Sequence, residues 1–117
     1  MARKGASKIE KFIDRLYSKS IDRYPTKEEE EAFLSVIAEK GVEEAVVDFY
    51  NSDLFESYSS EDFVKSLFYG IMDKEPDEEK FNFWLKKMAI RSKTGVIKGF
   101  FLSDEWHDLC DKYGIEA

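Results

Sequence analysis

Two side chains near the C-terminus have the types and spacing for nucleophilic chemistry. His107 and Cys110 lie three residues apart, and a histidine can activate a thiol when the two side chains touch. On one amphipathic helix, however, this spacing turns Cys110 inward beside Trp106 and Leu109. We therefore expect a buried and unreactive thiol rather than a catalytic dyad.

The acidic residues are numerous but form no recognisable catalytic or metal-binding motif. If Asp73 began an EF-hand loop, the required glycine and final glutamate would be Glu78 and Trp84, so the match fails. A single cysteine and a single histidine exclude multi-thiolate and multi-histidine metal sites. No glycine-rich phosphate loop, Gly-x-Ser-x-Gly turn or His-Glu-x-x-His pair occurs. We expect no enzymatic activity, no cofactor and no metal site.

The segment from Lys80 to Ser103 carries cations without any acidic residue, in a chain with a net charge of −7. Its basic residues are Lys80, Lys86, Lys87, Arg91, Lys93 and Lys98. Cations near the C-terminal end of a helix interact favourably with the helix dipole, which explains part of the pattern. The alternative is a site for an anionic ligand, such as an acidic polysaccharide or a phosphate group.

Several aromatic residues could stack on the apolar face of a sugar ring or contact a protein partner. Tyr24, Tyr69 and Phe83 fall outside the main apolar faces, whereas Trp84 and Trp106 recur at helical spacing and are interpreted mainly as core. Together with the cations, the predicted ligand-binding set is Tyr24, Tyr69, Phe83, Trp84, Lys86, Lys87, Arg91 and Lys93.

Composition limits the class of protein. Of 117 residues, 43% are hydrophobic and 15% aromatic, enough for a core without disulfides. A net charge of −7 argues against nucleic acid or anionic lipid as a partner. The apolar runs are far shorter than the roughly 20 residues of a membrane span. We expect a soluble domain without membrane insertion.

An internal repeat organises the chain. When the sequence is shifted against itself by 51 residues, Phe12 aligns with Phe63, and Pro25 aligns with Pro76. Conservative apolar pairs lie between the identities, so the match follows the apolar positions. We interpret residues 10–58 and 61–110 as two copies of one unit within a single domain spanning residues 1–117.

Each copy has the pattern of three or four short helices. Apolar residues recur every three or four positions, as in Phe12, Ile13, Leu16 and Tyr17. Pro25 and Pro76 are expected to end the first helix of each copy, and Ser52 and Ser103 to cap the last one. The second helices are expected to bury two sets of side chains: Ala32, Phe33, Val36 and Ile37, and Phe81, Trp84, Leu85 and Met88. The prediction is an all-α, compact bundle of about seven or eight short helices.

The second copy resembles the bacterial domain-of-unknown-function family 4214. The matching segments are Phe63-Val-Lys-Ser-Leu-Phe68, Asp73-Lys-Glu-Pro-Asp77, Phe83-Trp84 and Gly99-Phe-Phe-Leu-Ser-Asp-Glu-Trp106. The first copy is similar through Phe12-Ile-Asp-Arg-Leu-Tyr17, Asp22-Arg-Tyr-Pro25 and Phe49-Tyr-Asn-Ser-Asp-Leu-Phe55. A glycine of the family pattern is replaced by Lys80 in one copy and by Glu29 in the other.

This resemblance implies a helical, non-catalytic module, often found in large secreted or surface-layer proteins. We therefore expect a binding or scaffold module of a larger exported bacterial protein that recognises a glycan or another protein domain. The alternative is a structural spacer or protein-interaction domain, and an enzyme is the third hypothesis. The expected location is extracellular or at the cell surface, with a cytoplasmic location as the alternative.

Overall fold

Short helices make up the fold in the computed structural model, which describes residues 7–115. The seven α-helices are α1 (Lys8–Ile21), α2 (Lys27–Lys40), α3 (Val42–Tyr50), α4 (Ser60–Leu67), α5 (Glu78–Ile90), α6 (Lys93–Phe100) and α7 (Asp104–Lys112). A 3-10 turn spans Asp53–Phe55, and a π-helical segment, Phe68–Met72, continues α4. No strand occurs between residues 7 and 115. The predicted all-α fold of seven or eight short helices is confirmed.

Polar side chains set the beginnings of the helices. Thr26 and Glu29 form a capping box, in which each side chain accepts from the other residue's backbone N–H. The Ser103 Oγ accepts from the backbone N–H of Trp106, as predicted. The Oγ of Ser52 and that of Ser103 both donate to the carbonyl three residues earlier, but the Ser52 Oγ accepts no backbone N–H and so does not cap the 3-10 turn.

The first helix of each half ends differently from the prediction. Asp22 and Asp73 adopt the left-handed conformation, with φ of 58° and 55°, directly after Ile21 and Met72. These aspartates therefore end the helices before the chain reaches Pro25 or Pro76. The prolines predicted the ends of these helices to within a few residues. The residue that ends each helix is, however, the aspartate in the left-handed conformation.

The remaining elements begin at matching positions in the two halves. Helices α2 and α3 and the 3-10 turn begin at Lys27, Val42 and Asp53. Helices α5, α6 and α7 begin at Glu78, Lys93 and Asp104, each 51 residues later. The halves differ in their first helix, because α1 is α-helical throughout whereas α4 changes to π-helical geometry at Phe68.

Buried apolar side chains from both halves form one contiguous core. Trp106 is 0% exposed and lies against Phe12 from the first half, with ring centroids 6.1 Å apart. Its indole N–H donates to the Glu43 carboxylate at 3.0 Å. Trp106 is therefore a core residue that joins α7 to α1 and α3.

Helices α2 and α5 lie on the outside, and the burial predicted for them is partly wrong. Phe33 is buried as expected, but Ala32 is exposed. Five of the predicted side chains are only partly buried: Val36, Ile37, Phe81, Leu85 and Met88. Trp84 is also partly buried, and α5 buries no residue completely. Each of these helices touches the core along one narrow face, so part of its apolar surface stays accessible. Among residues 7–115, no helix is long and apolar enough to cross a membrane.

Arg15 caps the C-terminal end of the π-helical segment. The last carbonyls of a helix have no donor within it, and the Arg15 guanidinium donates to the carbonyls of Gly70 and Tyr69 at 2.8 and 3.2 Å. The same group pairs with the Asp73 carboxylate at 2.9 Å, and its side chain is only 10% exposed. A single side chain of α1 thus holds the end of the corresponding helix in the other half.

Gly70 lets α1 and α3 approach this segment. A Cβ at Gly70 would overlap the hydroxyl groups of Tyr50 and Ser20. Those two hydroxyls are buried and hydrogen bonded to each other at 2.7 Å, and the Tyr50 hydroxyl also donates to the Ser66 carbonyl. Buried polar groups need such partners. The absence of a side chain at Gly70 therefore allows both the close approach of α1 and α3 and the hydrogen bond between the two hydroxyls.

We predict that Arg15→Lys lowers the free energy of unfolding by about 1–3 kcal/mol, because an ammonium cannot reproduce the fork that reaches two carbonyls and a carboxylate. The matched control is Arg23→Lys, which alters the exposed Arg23–Glu29 pair and should cost less than about 1 kcal/mol. Urea unfolding followed by circular dichroism measures both. Equal losses for the two variants would contradict the role given to Arg15.

Candidate functional site

Four of the predicted ligand-binding residues lie on or beside the outer surface of α5. Phe83 is 52% exposed, and Lys86 and Arg91 are also exposed. The Lys87 ammonium lies 5.2 Å from the centre of the Phe83 ring. Among residues 7–115, Lys86 and Arg91 have no ion-pair partner. An aromatic ring and free cations are therefore presented together.

Ile90 extends this surface although the sequence analysis did not select it. Its side chain is 75% exposed and follows Phe83 by seven residues, which is two helical turns. We define the α5 face as Lys80, Phe83, Lys86, Lys87 and Ile90, which helical spacing brings to one side. The face combines two apolar anchors with three cations.

Trp84 lies beside this face, with its ring 5.2 Å from the Phe83 ring, and it also packs on α6. Its ring lies 4.8 Å from the Phe100 ring, and a Cβ on Gly99 would come within 2.5 Å of the indole. Gly99 therefore makes room for the indole. These contacts with Gly99 and Phe100 attach α5 to α6, and the Trp84 side chain is only partly buried.

The other predicted residues lie elsewhere. Tyr24 is 39% exposed and lines a cleft with Lys11, Arg15 and Tyr113. Tyr69 is half-buried in the π-helical segment, and its carbonyl accepts from Arg15. The Lys93 ammonium lies 4.4 Å from the Phe63 ring, and burial lowers the pKa of Lys93. The structure therefore does not bring all eight predicted residues into one site.

A groove between α2, α3 and the 3-10 turn was not predicted. Its volume is about 470 Å³, within the range of roughly 300–1,000 Å³ typical of ligand pockets. We call it the α2–α3 groove. Its apolar lining is Tyr17, Ala32, Phe33, Val36, Ala45, Phe49 and Leu54. Aromatic rings pack beneath it, with Tyr17 and Phe33 4.7 and 6.2 Å from Phe49.

Carboxylates supply most of the polar lining of the groove, to which Ser52 also belongs. Asp48 and Asp53 are exposed, and Glu29 lies beside them as a further lining residue. Hydrogen bonds from Arg23 are the main cause that lowers the pKa of Glu29 to about 2, so this carboxylate stays charged. Burial, with a smaller effect of Glu29, raises the pKa of Tyr17 to about 12. The groove therefore has an apolar, largely aromatic floor and negatively charged carboxylates at its solvent-exposed edge.

The difference between the two halves explains why the groove is open. Fifty-one residues after Phe33 and Asp48 come Trp84 and Gly99, and there the larger indole lies over the glycine and against Phe100. In the first half the smaller Phe33 leaves space between α2 and α3. The aligned pairs Phe33/Trp84 and Asp48/Gly99 were the sequence signal that could have revealed the groove.

The region around His107 and Cys110 shows no dyad. His107 is exposed, whereas Cys110 is 3% exposed. Burial is the largest cause that raises the pKa of Cys110 to about 11, and the carboxylates of Glu43 and Asp111 add to it. The buried thiol expected from the sequence is confirmed. Across residues 7–115, no three histidine, cysteine, aspartate or glutamate side chains are grouped as a metal site would require.

Comparison with family models gives a match over the second half of the chain. The family model described as a domain of unknown function, DUF4214, matches residues 46–110, more than half of the chain. The chain belongs to this family. The DUF4214 match covers α4, α5 and α6 completely and ends within α7. It therefore includes the α5 face, whereas all of α2 and the groove lining before residue 46 precede it. No curated protein and no solved structure matches the chain.

We predict that iodoacetamide at about pH 8 modifies Cys110 at least about 100-fold more slowly in the native protein than in concentrated guanidinium chloride, since both access and thiolate formation are suppressed. Mass spectrometry of timed samples measures the rates, with glutathione as the reagent control. His107→Ala should leave the native rate unchanged. Fast native modification that depends on His107 would contradict the buried-thiol account.

Proposed function

We propose that the chain is a non-catalytic binding module of a larger exported bacterial protein, and that the α5 face is its binding surface. The observation that carries this proposal is the exposure of Phe83 and Ile90, two turns apart on one helix, with Lys86 and Lys87 between them. Apolar residues at this spacing are the anchors by which a helix binds an apolar groove.

The favoured ligand class is an acidic surface on a protein. Binding would remove Phe83 and Ile90 from water, and each fully buried side chain of this kind is worth roughly 1.5–3 kcal/mol. The cations would direct the approach and select acidic partners. A purely structural spacer, the alternative from the sequence, gives no reason for two large apolar side chains to remain exposed together.

An acidic glycan is the second candidate. Phe83 offers an exposed aromatic ring, and Lys86 and Arg91 are free cations within the described residues. A ring of this kind suits the apolar side of a sugar, while the cations suit its carboxylates. Ile90 has no part in such recognition, which favours the protein ligand.

The setting proposed for the module has separate support. The family resemblance implies large secreted or surface-layer proteins, and so an extracellular location. A tandem origin, with copies at residues 10–58 and 61–110, is supported by helices that begin 51 residues apart. The absence of catalysis is supported by the burial of Cys110, the one thiol of the chain.

We predict that the protein binds a designed acidic helical peptide with leucines on one face, and that Phe83→Ala weakens this binding by about tenfold or more, as expected for a central aromatic anchor. Isothermal titration calorimetry measures both affinities. Leu102→Ala is the control, because Leu102 is 82% exposed but lies outside the α5 face, and it should leave the affinity unchanged.

The same titration is made with alginate, an acidic polysaccharide, and with neutral dextran. If alginate binds and the peptide does not, and if Phe83→Ala abolishes the binding of alginate, the ligand class is a glycan rather than a protein. Absence of binding to both the peptide and alginate would overturn the α5 face as a binding surface.

A further inference from the structure

We propose that the α5 face docks into the α2–α3 groove of a second copy of the chain. This inference rests on the proposed function, since it names the partner of the same surface. The groove has an apolar lining, and Phe83 and Ile90 of the α5 face are the side chains that would enter it.

The second half of the chain shows what kind of group fills this position. There Trp84 lies over Gly99 and against Phe100, so an aromatic ring occupies the space between α5 and α6. In the first half, Phe33 reaches Phe49 but leaves about 470 Å³ open above it. In the second half, Trp84 of the same chain fills the corresponding space. In the first half, an aromatic side chain from another molecule would fill the groove.

Charge identifies a basic surface as the occupant. The exposed lining of the groove carries the negative charges of Asp48 and Asp53, whereas the charge of Glu29 is balanced by its ion pair with Arg23. The segment from Lys80 to Ser103, which includes the α5 face, carries six cations and no acidic residue. Because the whole chain has a net charge of −7, most other contacts between copies would bring like charges together.

The two surfaces belong to different parts of the fold. Helix α2 packs on α1 and α3, whereas α5 packs on α4 and α6. One copy can therefore donate its α5 face while its own groove receives the α5 face of the next. Such a head-to-tail interface produces rings or open chains of molecules rather than a closed two-fold dimer.

Sedimentation velocity of the full chain tests this, from about 10 µM to about 1 mM, the range in which a weak interface dissociates. We expect the mean mass to increase with concentration, and the association to weaken several-fold between about 0.05 M and about 0.5 M NaCl, since salt screens the charges. Phe83→Ala should weaken association by about tenfold or more. Leu102→Ala should behave as the unaltered protein.

A pair of variants tests the head-to-tail geometry. Ala32→Arg obstructs the groove at an exposed position and should weaken association as Phe83→Ala does. When it is mixed with Phe83→Ala, the intact α5 face of one variant meets the intact groove of the other. We expect the mixture to form heterodimers and nothing larger.

Two results would overturn the inference: a chain that stays monomeric throughout, or association that neither variant reduces. Circular dichroism is the control that checks whether both variants are folded. If the chain is monomeric but the acidic peptide still binds through Phe83, the self-docking inference fails and the proposed function stands. If the chain is monomeric and binds neither the peptide nor alginate, both fail.

Discussion

The contact between Arg15 and the end of the π-helical segment is the constraint on which the rest of the fold depends. A helix end in a protein interior leaves carbonyls without donors, and burying them unpaired costs free energy. Here one guanidinium serves the carbonyls of Tyr69 and Gly70 and the carboxylate of Asp73. Because Arg15 belongs to α1, this hydrogen bonding is possible only when the two halves are packed together.

The same packing determines which surfaces remain open. With the first helices of both halves committed to the core, α2 and α5 are left on the outside, each touching the core along one narrow face. The second half fills the space under its outer helix with Trp84, over Gly99. The first half has Phe33 and Asp48 at those positions, so its groove stays open and acidic. One structural plan thus produces a basic apolar face and an acidic apolar groove.

The sequence predicted the helices well because their signals are local. Apolar spacing and the Thr26 capping box depend on neighbouring residues, and the inward position of Trp106 follows from the periodicity of its own helix. The role of Arg15 could not be predicted, since its partners lie more than fifty residues away in the chain. An arginine at that position is, from sequence alone, equally compatible with a solvated surface.

The candidate site was predicted only in part. The exposed ring of Phe83 and the cations on α5 follow from composition and helical spacing, and those residues do lie together. Tyr24 and Lys93 were grouped with them by residue type, whereas the tertiary fold places them elsewhere. Neither the groove nor the exposure of Ile90 was predicted. The distance at which an outer helix packs depends on the volumes of side chains from two different helices, which the sequence of one helix does not show. The pairs Phe33/Trp84 and Asp48/Gly99 contain that information only when the repeat is aligned.

The most direct test of this account is to close the groove with the second half's own residues. Sedimentation velocity of the double variant Phe33→Trp/Asp48→Gly measures whether the open groove is the surface that holds molecules together. The account predicts a folded protein that stays monomeric at concentrations where the unaltered chain associates, because the indole takes the place of the incoming α5 face. Association equal to that of the unaltered chain, with the same dependence on salt, would contradict it.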